Sequence, residues 1–292
     1  MKKDFEIEKT QESIPLIRKN IENTKIVYCF GLSAADPENL DRLRESKKYL
    51  EHVLNPMIEK GEVGDGVKSK WDDRKFRFHS ANLKDSKLEL NLGITHYQEC
   101  ANCRCWDEEK RIKMIKEGEK IFSDPNAFFT RGCGIGVTPI TSEGSIFVGK
   151  RQTEDSSYSG ELGAINGWVD YVERVDEIDF TLDVLREMKE EYGILEKDID
   201  KLIFSAIISP PSRADTDFSY LALLRINDEK FLERFQTRQD REHGELVQIA
   251  NYGDMQTLLQ TGRLPKIEEK FNLLYCLRAS LEQIKPNEMV LN

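Results

Sequence analysis

The sequence predicts a mixed α/β (α+β) fold in two domains, a smaller N-terminal α/β domain over 1–128 and a second domain over 129–292. The first observation is length, because 292 residues are enough for two ordinary domains. The second is composition, because 39% hydrophobic and 33% charged residues supply packed cores and argue against wholesale disorder. The third is pattern, because strand-like and helical segments occur in both halves and their texture changes near residues 124–130.

The N-terminal half begins with a predicted helix. Residues 33–38 read Ser-Ala-Ala-Asp-Pro-Glu, which is typical of a capped helix start, and an apolar stripe follows over 40–53. Two strands are predicted at 75–79 and 88–92, the second with apolar residues at alternate positions. A basic helix is predicted over 111–121.

The C-terminal half begins with a predicted hairpin. Residues 134–140 and 145–151 give its strands, and Ser142-Glu143-Gly144 gives its turn. A long helix is predicted from about residue 179, and Gly193 is a natural C-terminal cap for it. The remaining predicted elements are strands at 202–209 and 219–226 and a last helix over 265–284.

Net charge narrows the classes of partner. The chain has 43 Lys and Arg against 53 Asp and Glu, so its formal net charge is −10 and its pI is ≈ 5.2. Such a surface repels a phosphate backbone at long range, which makes nucleic acid polymers poor partners. A small phosphorylated ligand is compatible with this charge, because its site needs only a local cation or a metal ion.

Hydropathy bears on location. No apolar run approaches the ~20 residues that a membrane-spanning helix needs, and the first residues lack the apolar segment of a secretory signal. We therefore expect a cytoplasmic protein with a small-molecule nucleotide partner and no membrane partner. The sequence leaves the oligomeric state open, a homodimer included.

Cysteines and histidines give weak signals. Cys100, Cys103 and Cys105 cluster, but a structural zinc site needs four ligands, usually in two pairs, and no second pair stands nearby. We expect reduced thiols that serve mainly in packing. The four histidines, which include His243, stand at no metal-ligand spacing from one another, so we expect structural roles for them.

Residues 186–194 carry the strongest chemical signal. At ~100° per residue, a helical wheel groups the apolar side chains on one face and the acidic ones on the opposite face. The apolar face contains Leu182, Leu185, Met188 and Tyr192; the acidic face contains Glu187, Glu190 and Glu191, with Asp183 beside them. Neighbouring carboxylates suit Mg²⁺ or Mn²⁺, and the other interpretation is a solvated acidic face.

The same residues resemble a known family. The run R-E-M-K-E-E-Y-G-I matches the second half of the Nudix box, R-E-U-x-E-E-x-G-U, in which U is an aliphatic residue. The resemblance covers about residues 130–255. It implies a mixed β-sheet sandwiched between helices and hydrolysis of a nucleoside diphosphate that is linked to another group. It also implies a Mg²⁺ cofactor, with Mn²⁺ as a substitute.

The loop that precedes this helix departs from the family pattern. The box begins G-x5-E and continues with seven residues before the Arg. Gly167 and Glu173 satisfy G-x5-E, but twelve residues separate Glu173 from Arg186. The loop is therefore five residues too long, and Glu177 competes with Glu173 for the position of the first glutamate.

The resemblance implies a role for each residue of the site. Glu187 and Glu191 would be the principal metal ligands, supported by Glu190, Glu173 and the carbonyl of Gly167. Arg186 would orient a glutamate of the box, and a carboxylate, Glu190 among the candidates, would act as base on the attacking water. A further carboxylate from a later loop would be Glu242 or Glu245.

Segments upstream of the box indicate a substrate. Residues 75–83, 92–97 and 134–137 resemble a Nudix branch that has its own N-terminal domain and includes UDP-glucose and UDP-galactose hydrolases. The expected products are UMP and a sugar 1-phosphate. Arg77, Tyr97 and Arg151 are candidates for contact with the nucleotide, since aromatic rings stack on bases and Arg binds phosphate. The alternatives are ADP-ribose or a dinucleotide as substrate, or a nucleotide-sugar sensor without turnover.

Overall fold

The structure is a computed structural model. It describes residues 25–29, 74–84, 87–97, 100, 103, 106–152, 160–171, 180–209, 215–240, 242–265 and 267–289. The helix predicted around residues 36–53 lies outside the described residues. None of the helices within these ranges is long and apolar enough to cross a membrane.

Ten strands and five α-helices make up the described part of the chain. Strands β1 to β10 are Lys25–Cys29, Arg74–Lys84, Lys87–His96, Gly132–Ile140, Ile146–Arg151, Leu162–Gly163, Ile165–Trp168, Ile199–Ile208, Asp215–Leu224 and His243–Ile249. Helices α1 to α5 are Glu108–Phe122, Thr181–Tyr192, Asp228–Gln236, Tyr252–Thr261 and Tyr275–Gln283.

Strand β4 lies at the centre of a mixed sheet. It runs parallel to β9, with Gly132 opposite Asp215, and antiparallel to β7, with Gly134 opposite Trp168. Strand β8 pairs antiparallel with the outer side of β9, and β10 pairs antiparallel with β5. Strands β1, β3 and β2 continue the sheet, since Arg77 of β2 pairs with Gly132. The predicted mixed sheet is therefore confirmed.

Helices cover both faces of this sheet. Side chains of β4 alternate between two buried clusters, because successive residues of a strand point to opposite faces. Ile135 and Val137 join a cluster with α2 and α3, whereas Ile140 joins a cluster with α4 and α5. The architecture is a sheet sandwiched between helices, as expected. The division into domains at residue 128 stays a prediction.

Helix α2 ends where the sequence predicts. Gly193 has φ +69° and its N–H donates to the carbonyl of Lys189, which is the geometry of a left-handed helix cap. Glycine adopts this conformation without steric cost, so the helix ends at Tyr192. This end sets the position of the preceding glutamates relative to the sheet.

The last predicted helix is too long. Helix α5 begins at Tyr275, whereas the sequence predicted a helix from residue 265. The preceding segment pairs with β6 instead, because the N–H of Leu162 donates to Asn272 and the N–H of Leu274 donates to Leu162. These bonds satisfy the backbone without a helix. The sequence interpretation also missed β1, β10, α3 and α4.

Candidate functional site

Helix α2 turns two of its acidic residues toward the sheet. Its buried residues are Val184, Glu187, Met188, Glu191 and Tyr192, while Leu182 is 71% exposed. The buried face therefore takes residues from both predicted groups, and the expected division into an apolar and an acidic face does not decide which side chains are buried. The reason lies in β7, where a glycine leaves room for a carboxyl group opposite the helix.

That glycine is Gly167. An added Cβ would lie 2.1 Å from Cδ and Oε1 of Glu187, so no larger residue fits without moving the carboxyl group. Glu187 itself is only 8% exposed. Gly167 therefore lies directly against the acidic helix, and the support of the metal ion by its carbonyl stays a prediction.

Arg186 fixes one oxygen of Glu187. Its Nη1 donates to Glu187 Oε1 at 2.6 Å. Its Nη2 donates to the carbonyl of Trp168 and to Asp183 Oδ1, both at 3.2 Å. The guanidinium thus joins α2 to β7 and contacts a glutamate of the box, and its predicted role in orienting that glutamate for catalysis stays a prediction. Glu190 lies farther out, with Oε2 3.6 Å from Arg186 Nη1 and its side chain 41% exposed.

The surroundings of Glu187 disfavour the ionised form of its carboxyl group. Burial and, to a smaller extent, the neighbouring Glu191 together raise the pKa of Glu187 from its ordinary 4.5 to about 8, against the opposing effect of Arg186. A carboxylate pair at this depth needs more positive charge than one arginine supplies. A divalent cation would supply it.

Glu191 is held from the other side of the helix. It is 2% exposed, and its Oε2 lies 3.1 Å from Nε2 of His243 at the start of β10. The same oxygen accepts a bond from the backbone N–H of Asn166 at 3.3 Å. Both contacts fall on one oxygen, so in the described part of the chain Oε1 has no protein partner.

The donor set suits Mg²⁺. Glu187 and Glu191 each have one oxygen anchored by protein donors and one that is free among the described residues. No group of three or more His, Cys, Asp or Glu side chains gathers for a metal within those residues. Mg²⁺ usually takes one or two carboxylates and completes its shell with water and substrate phosphates, so two carboxylates are enough. The residues therefore fit such an ion.

The later loop brings one more predicted residue close. Glu242 precedes β10 and forms an ion pair with Arg151 of β5. His243 follows it and pairs with Arg151 across the two strands, so this ion pair neighbours the ring that contacts Glu191. Glu245 lies exposed farther along β10, opposite Lys150. Their predicted catalytic roles stay predictions.

Tyr97 and Arg77, the two residues of the N-terminal half that were predicted to contact the nucleotide, lie in different surroundings. Tyr97 packs edge-on against Trp168, with ring centroids 5.6 Å apart, next to the carbonyl that Arg186 contacts. Arg77 is buried and donates to the carbonyls of Phe129 and Asn126. It thereby holds the segment that leads into β4, and its contact with a nucleotide stays a prediction.

Other predicted residues lie apart or outside. Glu173 and its competitor Glu177 lie outside the described residues, so the register of the long loop stays open. The described members of the cysteine cluster, Cys100 and Cys103, are both buried, as expected for packing residues.

Sequence reasoning missed His243 and Asn166. The alternation of buried Ile249 and Val247 stops at exposed Glu245, where the register of β10 shifts, so it gives no signal that His243 faces inward. Nothing in the sequence gives its partner, because Glu191 lies 52 residues away.

Two solved structures are similar to this chain. One is a mutT/nudix family protein from Listeria innocua, with 17% identity, a TM-score of 0.36, and coverage of 52% of this chain and 90% of that protein. The other is a NUDIX family hydrolase from Clostridium perfringens, with 15% identity, a TM-score of 0.31, and coverage of 51% and 95%. Both likenesses are too weak to carry an inference about this chain. No protein-family model and no curated relative matches it.

Proposed function

We propose that this chain is a divalent-metal-dependent hydrolase of the Nudix type, which cleaves the diphosphate of a nucleoside diphosphate linked to another group. The observation that carries the proposal is the pair Glu187 and Glu191. They lie one turn apart in the run R-E-M-K-E-E-Y-G-I, buried against β7, and each has one oxygen anchored. A merely solvated acidic face would leave both glutamates exposed to water.

Each residue of the site then has a distinct task. Glu187 and Glu191 would hold Mg²⁺ or Mn²⁺, with Glu190 and the carbonyl of Gly167 in support. When bound, such an ion would offset the charge of the diphosphate and would stabilise negative charge on the attacked phosphate. Arg186 keeps Glu187 in place through its contact with Oε1.

Glu190 is the best base among the three candidate carboxylates. It lies next to the buried pair but is exposed enough to meet water, whereas Glu242 is engaged by Arg151 and Glu245 lies exposed farther along β10. In the step, the water oxygen bonds to phosphorus and its proton passes to Glu190. The bridging P–O bond breaks, and the bridging oxygen leaves with the second phosphate.

A UDP-sugar is the proposed substrate, with UMP and a sugar 1-phosphate as products. The upstream segments that resemble the UDP-sugar branch support this choice. The aromatic pair of Tyr97 and Trp168 supports it too, because it offers ring surface for a base beside the contact of Arg186. Arg151, one partner of an ion pair near the site, is placed to exchange Glu242 for a phosphate.

A panel of substrates tests the proposal. The full chain is incubated with UDP-glucose, UDP-galactose, ADP-ribose or a dinucleotide in Mg²⁺, and a phosphatase releases phosphate from the products only. We expect turnover that EDTA abolishes and Mg²⁺ or Mn²⁺ restores, with a higher kcat/KM for UDP-glucose than for ADP-ribose. Full turnover in EDTA would refute the metal mechanism. If kcat/KM is the same for UDP-glucose and ADP-ribose, the proposed preference for a UDP-sugar is refuted. Binding without turnover would favour a nucleotide-sugar sensor.

A further inference from the structure

The ring of His243 occupies a fully enclosed place behind the acidic helix. Its side chain is completely buried, and its Nε2 lies 3.1 Å from Oε2 of Glu191, which is itself 2% exposed. Tyr192 meets the ring edge-on, with centroids 5.4 Å apart. A buried histidine in contact with a buried carboxyl group needs an explanation, because an unpaired polar group at this depth is costly.

A glycine of β5 leaves the space that the ring fills. A Cβ on Gly149 would lie 2.2 Å from Nδ1 and 2.3 Å from Cγ of His243, so no larger residue fits there without moving the ring. Its rotation is restricted, so the direction of Nε2 toward Glu191 is set by packing.

The donor and the acceptor of the hydrogen bond between His243 and Glu191 follow from the chemistry of the two groups. A glutamate that ligates a divalent ion is ionised and can only accept hydrogen bonds. His243 Nε2 must therefore carry a proton and donate it to Oε2, as the N–H of Asn166 does. Nδ1 has no hydrogen-bond partner in the described part of the chain. Among the described residues, the hydrogen bond to Glu191 is therefore the polar contact that orients the ring.

We infer that His243 is a positioning residue, which holds Glu191 by one oxygen so that the other is presented to the metal ion. The inference rests on the proposed function and deepens it. Groups that orient a metal ligand act through that ligand and do not touch the substrate. On the opposite side of the site, Arg186 does the same for Glu187.

Metal affinity separates this role from simple core packing. Mn²⁺ is titrated into the full chain, and the free ion is followed by electron paramagnetic resonance. Loss of an orienting group typically weakens metal binding by about 10–100-fold, so we expect this loss for His243→Leu. His243→Gln keeps an N–H donor near the position of Nε2 and should recover most of the affinity.

A matched control and an independent spectrum complete the test. Thr138→Val alters an equally buried polar residue that bonds Ser280 and not the glutamates, so its Mn²⁺ affinity should equal wild type. On unaltered protein with Mg²⁺, long-range ¹H–¹⁵N spectra should show Nε2 of His243 protonated. This second measurement holds even where the leucine variant fails to fold.

The outcomes separate the inference from the proposed function. Wild-type affinity in a folded His243→Leu, or an unprotonated Nε2, overturns the role of His243 while turnover would still support the hydrolase. Tight Mn²⁺ binding that depends on His243, without hydrolysis of any substrate, supports the role of His243 and refutes the hydrolase. A wild-type chain that binds no Mn²⁺ overturns both.

Discussion

Gly167→Ala should remove activity without unfolding the protein. The new Cβ would lie 2.1 Å from the carboxyl group of Glu187, whereas real Cβ contacts essentially never fall below 3.0 Å. The carboxyl group must therefore retreat by about 1 Å, and a misplacement of this size can cost about 10²-fold in rate. Glu187 is a flexible side chain that can move at little cost, and φ of Gly167 is not positive. The free energy of unfolding should thus change by no more than about 1 kcal/mol.

Steady-state kinetics and thermal denaturation together check this prediction. The kcat with UDP-glucose and Mg²⁺ is compared between wild type, Gly167→Ala and a control, Gly136→Ala. The control adds the same methyl group to β4, where the nearest atom, Asn166 Oδ1, is 3.3 Å away. We expect near wild-type turnover for the control. A folded Gly167→Ala with more than half of wild-type kcat would show that the position of Glu187 does not govern the reaction.

Two further predictions concern stability. Glu187→Gln removes a buried carboxyl group whose pKa is raised to about 8, so near neutral pH the chain no longer has to take up a proton there on folding. The Tm in EDTA should therefore rise by about 2–4 °C, equivalent to ~1 kcal/mol, while kcat falls by about 10²-fold. A lower Tm would mean that the contact with Arg186 outweighs the cost of burial. Gly149→Ala places a Cβ against the enclosed ring of His243, which cannot retreat. It should cost about 1–3 kcal/mol of unfolding free energy in urea, and an unchanged midpoint would contradict the described packing.

Elements with a local signal were predictable from the sequence. The alternation in β4 and β5, the turn between them, and Gly193 as the end of α2 each depend on residues next to one another in the chain. Helix α3 also had a local signal, since Asn227 caps its first turn and Phe231 and Phe235 lie four residues apart. That helix was missed although its signal was present.

Features that depend on distant partners were not predictable. The segment before α5 was predicted as part of that helix, but its residues 272–274 pair with β6, more than 100 residues earlier in the chain. The helical wheel of α2 separated acidic from apolar side chains, but the buried face takes Glu187 and Glu191 together with apolar residues, and the space for Glu187 opposite Gly167 comes from strand β7. The contact between His243 and Glu191 likewise exists only because β10 passes behind the helix.

The N-terminal strands share an interior with the acidic helix. Phe76 and Phe78 of β2 and Leu90 and Leu92 of β3 belong to the same buried cluster as Met188, which lies between the two metal-ligand candidates. The half of the chain that carries the glutamates is therefore not a self-contained module. Transferred alone to another protein, it would expose an apolar surface beside β4, and a new neighbour would have to cover that surface before the glutamates regained their places. We thus expect the proposed activity to be inherited only where both halves are inherited together.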